Sequence, residues 1–309
     1  MLSIDSESVH RLATVESLIE PLRRSFSAKA LGAERTHYDL GPDSSARTLL
    51  LMPAWRSGSA IGVKIVTVFP DNAARAIPTV NATYLLMSWD TGQPLAVIDG
   101  RALTLLRTAA VSALAADLLA PPHPDTLLMV GTGSLSRFFV EGHLAVRNYK
   151  SILVWGRDPV KAARVVRDLD NRGLPVRAAS HLEAAARSAD VISCATMAER
   201  PLIHGAWLKA RSHLDLVGSF TADMREADDE CMRGAFLVVD TLSAVRESGD
   251  LIVPLARGVI TADSIHTLEE MAAARVPGPR HQRTVFKSVG VAHADLAVGM
   301  ALYQRHGGG

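Results

Sequence analysis

Cysteine is nearly absent from this chain: Cys194 and Cys231 are the only two in 309 residues. Two thiols cannot build a disulfide framework, and their scarcity fits a reducing compartment. Cys194 stands in the apolar run Val191-Ile192-Ser193-Cys194-Ala195, where a thiol reads as a small buried hydrophobe rather than a nucleophile. A charge excess is missing too. Lys and Arg number 33 against 32 Asp and Glu, a formal net charge of +1, which gives no electrostatic ground to expect nucleic acid or an anionic membrane as partner. There is no uninterrupted apolar run long enough to cross a bilayer. The opening Met1-Leu2-Ser3-Ile4-Asp5 lacks the basic segment of an export signal, so a cytoplasmic protein is expected. The 11 histidines form neither H-E-x-x-H nor a Cys/His cluster, and no metal site is expected. His143 and His293 fall on predicted helices and read as packed or solvent-facing imidazoles. No G-x-S-x-G elbow, internal repeat or low-complexity segment is present.

What the chain does have is length and a rhythm. At 309 residues, 48% of them hydrophobic, it exceeds what one small core organises, and two domains are expected. From about residue 126 short apolar runs alternate with helical patterns, the signature of a parallel sheet with crossover helices. Thr126–Val130, Ser151–Trp155, Asp190–Cys194, His213–Val217 and Ala235–Val239 read as strands apolar almost throughout, as strands covered on both faces are. Helices are predicted over Ser134–Arg147 and Lys161–Asp170, then a turn at Asn171-Arg172-Gly173 and a short strand at Pro175-Val176-Arg177. The earlier part differs: strand-like stretches at Thr48–Met52, Gly62–Phe69 and Thr83–Trp89 are separated by turns such as Gly41-Pro42-Asp43 and Pro70-Asp71-Asn72. Arg107–Ala120 reads as an Ala-rich helix stopped by Pro121-Pro122, and this Pro-rich stretch up to Pro124 is taken as the domain boundary. Thr284–Val289 reads as one more strand and Ala292–Arg305 as a helix, while Gly307-Gly308-Gly309 is expected to fray.

The first strand of the second half runs into Gly131-Thr132-Gly133-Ser134-Leu135-Ser136, a G-x-G-x-x-G pattern with a small serine in the third glycine's place. The first glycine permits a tight turn, the second lets backbone approach a pyrophosphate, and the third position needs only a small side chain for close helix–strand packing. Amides at the start of the following helix then favour a diphosphate. Strand before, helix and strand after, this turn predicts a Rossmann-type site for a nicotinamide dinucleotide. After the second strand the chain reads Gly156-Arg157-Asp158-Pro159. Asp158 before a proline has the look of a helix N-cap, which leaves Arg157 nearest the expected ribose. A guanidinium suits a 2′-phosphate, so NADP(H) is preferred, with NAD(H) as the alternative.

Several blocks together resemble the ornithine cyclodeaminase and mu-crystallin family over nearly the whole chain. They are Gly62-Val63-Lys64-Ile65-Val66-Thr67, Leu106-Arg107-Thr108-Ala109-Ala110-Val111-Ser112-Ala113, the glycine turn, Val217-Gly218-Ser219 with Met224-Arg225-Glu226, and Phe286-Lys287-Ser288-Val289-Gly290. The resemblance implies an α/β fold with a Rossmann-type doubly wound parallel sheet and a second, α+β domain for substrate binding and dimerisation. Residues 1–120 with 290–309 would form the latter and 121–289 the dinucleotide domain. It also implies a homodimer, a small amino or imino acid as substrate, and cationic side chains at Arg35, Lys64 and Arg107 to hold the substrate carboxylate. Thr108 would lie near the substrate and Ser288 near the nicotinamide, with Thr196 and Gly218 among the cofactor contacts. Read from the residues alone, Arg35 after Glu34 also suits an exposed ion pair and Arg107 a solvated helix start. Lys64 interrupts a half-buried strand pattern, where a desolvated ammonium is costly unless an anion meets it.

The pattern breaks at one point. Cyclodeaminases of the family carry a catalytic aspartate two residues after the glycine that ends the fifth Rossmann strand, and here Gly218 is followed by Ser219 and Phe220. A phenyl ring neither accepts a proton nor polarises water. Asp223, further on, reads as an N-cap ahead of Met224-Arg225-Glu226. Reduction of a C=N bond survives the loss, because the cofactor brings the difficult step and the pocket need only orient the substrate. The expected activity is therefore reduction of cyclic imino acids, pyrroline-2-carboxylate or piperideine-2-carboxylate, to proline or pipecolate. Lys64 and Arg107 would carry it, with Phe220 against the ring. The alternatives are ornithine cyclodeamination, reductive amination of a 2-oxo acid, and a binding protein without turnover that holds NADP(H) or a small ligand, as mu-crystallin suggests.

Overall fold

Alternating burial shapes the N-terminal part of the computed structural model, which describes residues 1–28, 31–41, 47–75, 77–279 and 281–308. Pro42 and Asp43 of the expected turn, and Gly309 of the expected frayed end, lie outside the described residues. Strand β1 (Leu2–Ile4) leads to helices α1 (Ser6–Leu12) and α2 (Val15–Ser27). Asp5 caps α1 and a Thr14/Ser17 capping box opens α2. Strands β2 (Leu31–Gly32), β3 (Thr36–Asp39), β4 (Thr48–Arg56), β5 (Ala60–Val68), β6 (Val80–Ser88) and β7 (Pro94–Asp99) follow, with a short 3-10 helix at Pro70–Arg75 where a simple turn was expected. The sheet order is β1-β7-β6-β5-β4-β2, with β3 also pairing β4.

Register explains what this sheet does with its side chains. Met52, Lys64, Tyr84 and Ile98 stand abreast across β4 to β7, as do Ala54, Gly62, Leu86 and Ala96. All of these are buried. The intervening rows, such as Pro53, Val63, Leu85 and Val97, fall on the opposite face by the period of two. That face is apolar as well but only partly buried. The buried face packs against the last helix, α11 (Ala292–Arg305), which also touches α2. The approach is close: a Cβ on Gly62 would lie 1.8 Å from Tyr84 Oη, and one on Gly299 of α11 would lie 2.6 Å from the same ring.

Helix α3 (Gly100–Leu119) begins well ahead of the predicted Arg107. By length and composition it is apolar enough to cross a membrane, yet 78% of its apolar window is buried within the protein, as in a core helix. The chain divides into two contact units, Met1–Thr108 with Val291–Gly309 and Ala109–Gly290. The proline stretch after α3 is therefore not the division point, which falls inside the helix. Ala116 and Ala120 explain why, since they pack in one cluster with Leu127 and Met129 of the first Rossmann strand.

The second unit is wound as the rhythm predicts. Its elements are β8 (Thr126–Val130), α4 (Ser136–Val146), β9 (Ser151–Trp155), α5 (Pro159–Asp170), β10 (Val176–Ala178), α6 (Leu182–Ser188), β11 (Val191–Cys194) and β12 (His213–Leu216). Then come α7 (Asp229–Met232), β13 (Phe236–Val239), α8 (Ala244–Glu247), α9 (Gly249–Ala256), β14 (Ile265–Thr267), α10 (Leu268–Ala272) and β15 (Thr284–Lys287). All pairings in this 8-stranded sheet are parallel, in the order β10-β9-β8-β11-β12-β15-β13-β14. Alternate residues of one strand enter different cores: Leu127 and Met129 join one apolar cluster, Leu128 and Val130 the other. Both faces are thus covered, which is why these strands read as continuous apolar runs. The order reverses between β8 and β11, and the carboxyl ends beside such a switch point form the crevice where doubly wound sheets bind ligands.

Candidate functional site

The glycine turn has the conformation its sequence foretells. Gly131 sits at φ +124, where a side chain is strained, and an added Cβ would lie 2.5 Å from the Ala195 carbonyl. Its N–H donates to Trp155 O, and Ser136 Oγ donates back to Gly131 O at 3.0 Å. The small serine in the third glycine's place is fully buried and latches the turn onto the helix. Gly133 is the reverse case: nothing lies within 4 Å of where its Cβ would be. Gly133 and Ser134 are exposed, and Leu135 at the N-cap of α4 offers its helix no side-chain cap. Thr132 is packed instead, its methyl 2.5 Å from where a Cβ on Gly156 would stand. The turn therefore presents uncapped helix amides to open space beside a glycine, the arrangement a diphosphate needs. Beyond β9, Asp158 accepts from Val160 N and Lys161 N as the predicted N-cap, and Arg157 is exposed.

Farther along the same strand ends, buried carboxylates organise the loops. Glu226 Oε1 accepts from Thr196 N at 2.7 Å and Thr196 Oγ1 at 2.9 Å, and its Oε2 accepts from Gly218 N at 2.7 Å and Ser219 N at 3.3 Å. One carboxylate thus joins the loops after β11 and β12. Asp250 Oδ1 accepts from the N–H of Glu226 and of Ala227, while Lys287 Nζ stands 3.4 Å from Asp250 Oδ2. Burial raises Glu226 to about 7 and Asp250 pushes the same way, against the pull of Lys287. Ser288 Oγ donates to Asp240 Oδ2 at 2.8 Å, and the same carboxylate accepts from Val289 N and Gly290 N. Met224-Arg225-Glu226 is consequently no helix start. Met224 N closes a turn onto Thr221 O, Asp223 lies exposed in that turn, and the following helix is capped by Asp228. The expected capping role of Asp223 is corrected: the inward pull of Glu226 and Asp250 takes those residues out of a helix. Phe220 is 48% exposed.

In the first unit two of the three expected cations come together, around a residue the sequence did not single out. Lys64 Nζ lies 2.8 Å from Asp295 Oδ2, and Arg107 Nε lies 3.0 Å from Asp295 Oδ1. Lys64 is 2% exposed, Arg107 7% and Asp295 0%. The expected cost of burying Lys64 is met as the strand pattern requires, by a carboxylate, and α11 supplies it from within the protein. Two cations and one anion, +1 +1 −1, still leave one positive charge in a dry place. Burial lowers Lys64 to about 8, Arg107 and Arg35 push it further down, and Asp295 opposes them. Arg35, half-buried ahead of β3, thus lies near enough for its charge to bear on Lys64. Thr108 spends its hydroxyl proton on Thr104 O at 2.6 Å.

Asp295 left a trace that could have been followed: it is the one acidic residue in Ala292–Val298, a stretch apolar but for it and His293. Glu226 lay inside a block singled out for its resemblance. His143 and His293 are packed, the first beside Asp215 and the second edge-on to Phe26. Both cysteines are buried, with their thiols pushed up by desolvation. Among the described residues no group of three or more His, Cys, Asp or Glu is gathered to hold a metal.

A doubly wound parallel sheet with an open glycine turn at its switch point defines a dinucleotide-binding protein of the Rossmann class. The chain belongs to the ornithine cyclodeaminase/mu-crystallin family, whose profile matches residues 3–309. It is 40% identical over 266 residues to the Delta(1)-pyrroline-2-carboxylate reductase of Paracoccus denitrificans, covering 84% of this chain and 83% of that protein. Among solved structures it resembles the Delta(1)-pyrroline-2-carboxylate reductase of Thermococcus litoralis in complex with NADH and L-proline. The TM-score is 0.93 at 31% identity, covering 99% of this chain and 98% of that one. An archaeal alanine dehydrogenase dimer with bound NAD matches at a TM-score of 0.91 and 27% identity, over 99% and 95% of the two chains.

The open space at Gly133 gives a direct check. Gly133→Val is expected to leave the melting temperature unchanged, since the side chain meets nothing, but to weaken nucleotide binding at least ~10-fold, about 1.4 kcal/mol, by fluorescence titration. A variant that binds normally would mean that no diphosphate lies over this turn.

Proposed function

We propose that this protein is an NAD(P)H-dependent reductase of cyclic imino acids, converting pyrroline-2-carboxylate or piperideine-2-carboxylate to proline or pipecolate. The observation that carries the reading is the buried Lys64–Asp295–Arg107 group with its uncompensated positive charge. A substrate carboxylate neutralises that charge where water does not, with Arg35 adding a longer-range pull. The reductase relatives supply the substrate class. When bound, the reduced nicotinamide supplies the hydride. Arg107 holds the carboxylate, and Lys64 Nζ gives its proton to the ring nitrogen and recovers one from water. Phe220 offers no acid/base group. The glycine turn and Gly156 carry the dinucleotide. Thr196, Gly218 and Ser288 shape its far end through Glu226 and Asp240, with Thr108 beside the substrate. The test follows nicotinamide absorbance with five- and six-membered cyclic imines. Turnover is expected with at least one ring size, and Lys64→Ala should lower kcat/KM by about 100-fold or more while nucleotide affinity stays put. Ammonia release from ornithine without imine reduction would overturn the reading.

NADP(H) is the preferred cofactor in this proposal. Asp158, the acidic residue at the end of β9, is committed to capping α5, and the exposed Arg157 beside it suits a 2′-phosphate. Arg157→Ala should raise the KM for NADPH about 10-fold and leave that for NADH unchanged; equal effects on both would refute the assignment.

A homodimer is proposed from the outward face of the first sheet. Its cross-strand row Pro53, Val63, Leu85 and Val97 continues with Trp55, Ile61 and Met87. An apolar area of this kind on a sheet is covered in a stable protein, and the structural relative described as a dimer makes a second copy the fitting occupant. Leu85→Asp should convert a wild-type dimer to monomer in light scattering at micromolar concentration; a monomeric wild type would remove the proposal.

A further inference from the structure

Asp295 has more to do than neutralise charge, and its geometry says what. Its two oxygens are divided between two different cations, Oδ2 to Lys64 Nζ and Oδ1 to Arg107 Nε. An arginine held through Nε keeps both terminal nitrogens for another group, and these are the pair that grips a carboxylate in the two-pronged manner. A lysine held by one oxygen keeps two of its three protons uncommitted. Both side chains are otherwise buried, one on β5 and one on α3, so neither can swing to water when its partner changes.

We infer that Asp295 is the positioning residue of the substrate site: it turns the terminal nitrogens of Arg107 toward the substrate carboxylate and keeps Lys64 protonated for transfer to the ring nitrogen. This rests on the reductase reading for the identity of the substrate, but not for the pairing itself. The step balances: hydride passes from the reduced nicotinamide to the imine carbon, the Lys64 proton passes to nitrogen, and water reprotonates the lysine.

The groups facing Lys64 are few. Asp295 comes from α11, Arg107 from α3 and Arg35 from the segment ahead of β3; Tyr84 stands opposite on β6 and the non-titrating Met52 opposite on β4. His293, also on α11, is lowered by burial to about 4 and is neutral across the working range, and the buried Tyr84 hydroxyl is raised well above it. Among these neighbours Asp295 is thus the one anion that holds the Lys64 proton, against the two arginines that push it off. Lys64 has its pKa at about 8, so activity that needs its proton declines as pH rises through that value.

The experiment compares the wild type with Asp295→Asn and Asp295→Glu, with Lys64→Arg used to assign the Lys64 signal in protein carrying nitrogen-15 lysine. Titration of Nζ by NMR needs no turnover. In Asp295→Asn the Nζ midpoint should fall by about one unit or more, and the alkaline limb of the kcat/KM profile should move down by the same amount, leaving activity at pH 8 at least about 5-fold lower. Nucleotide affinity should not change. Asp295→Glu keeps the charge one methylene away and should fall between the other two in both readouts. It is read alone if the Asn variant loses its circular-dichroism signature. A folded variant whose Nζ midpoint matches the wild type overturns the inference, as does a limb that stays put while the midpoint moves. If the wild type reduces no cyclic imine, the substrate reading falls, and the Nζ titration still decides whether Asp295 governs Lys64.

Discussion

One carboxylate on the last helix holds the two buried cations Lys64 and Arg107 of the first unit. An ammonium and a guanidinium buried side by side repel each other and have lost their water, a cost of several kcal/mol per ion. Removing the partner of a buried pair costs about 3–5 kcal/mol, so Asp295 is not an optional neighbour. The cost also explains the chain's path. After the whole Rossmann unit, residues 291–309 return to the first unit, because the sheet there presents a lysine that nothing on β4 or β6 neutralises. Small residues make the return possible. Glycine at 62 and at 299 lets the ring of Tyr84 lie between strand and helix with no space to spare, bringing α11 close enough for a 2.8 Å ion pair.

The second unit solves a different problem with the same chemical group. Where parallel strands end, the loops that follow have no ladder to take up their N–H groups, and a buried N–H without an acceptor is expensive. Glu226 takes three of these groups, and Asp240 and Asp250 take two each. The result is a rigid rim of backbone at the carboxyl ends of β11, β12 and β15, where a doubly wound sheet meets its dinucleotide. Lys287, at the end of β15, supplies the compensating positive charge. The strand β15 lies between β12 and β13 although it comes last in the unit, and that insertion is what delivers Lys287 and Ser288 to the rim.

Sequence reading reached the elements whose signals are local. The strands β8, β9, β11, β12 and β13 announced themselves because each is covered on both faces, and the glycine turn because its backbone conformation demands glycine. Asp158 was recognisable as a cap from the proline that follows it. Other features are set by contacts distant in sequence. Asp295 meets Arg107 across 188 positions, and no periodicity within α11 indicates what lies opposite. The division inside α3 was mistaken for the proline stretch because prolines end a helix but do not show which core its two halves join. Asp223 went wrong for a similar reason: local preference favoured a cap, while Glu226 and Asp250, buried together, drew the segment into a turn.

For the proposed chemistry, position 220 matters through what it lacks. Ring closure of a diamino acid with loss of ammonia requires a group that takes a proton and later returns it on the leaving-group side. Phe220 has no such atom, and Asp223 is exposed on its turn. Reduction of a ready-made cyclic imine asks for one proton only. A lysine at about 8 is charged at neutral pH and yields its proton far more readily than an ordinary lysine, since proton transfer is most effective when the donor's pKa lies near the working pH. In the proposed reduction, the burial that makes Lys64 expensive to keep charged is thus what would fit it to the single proton transfer.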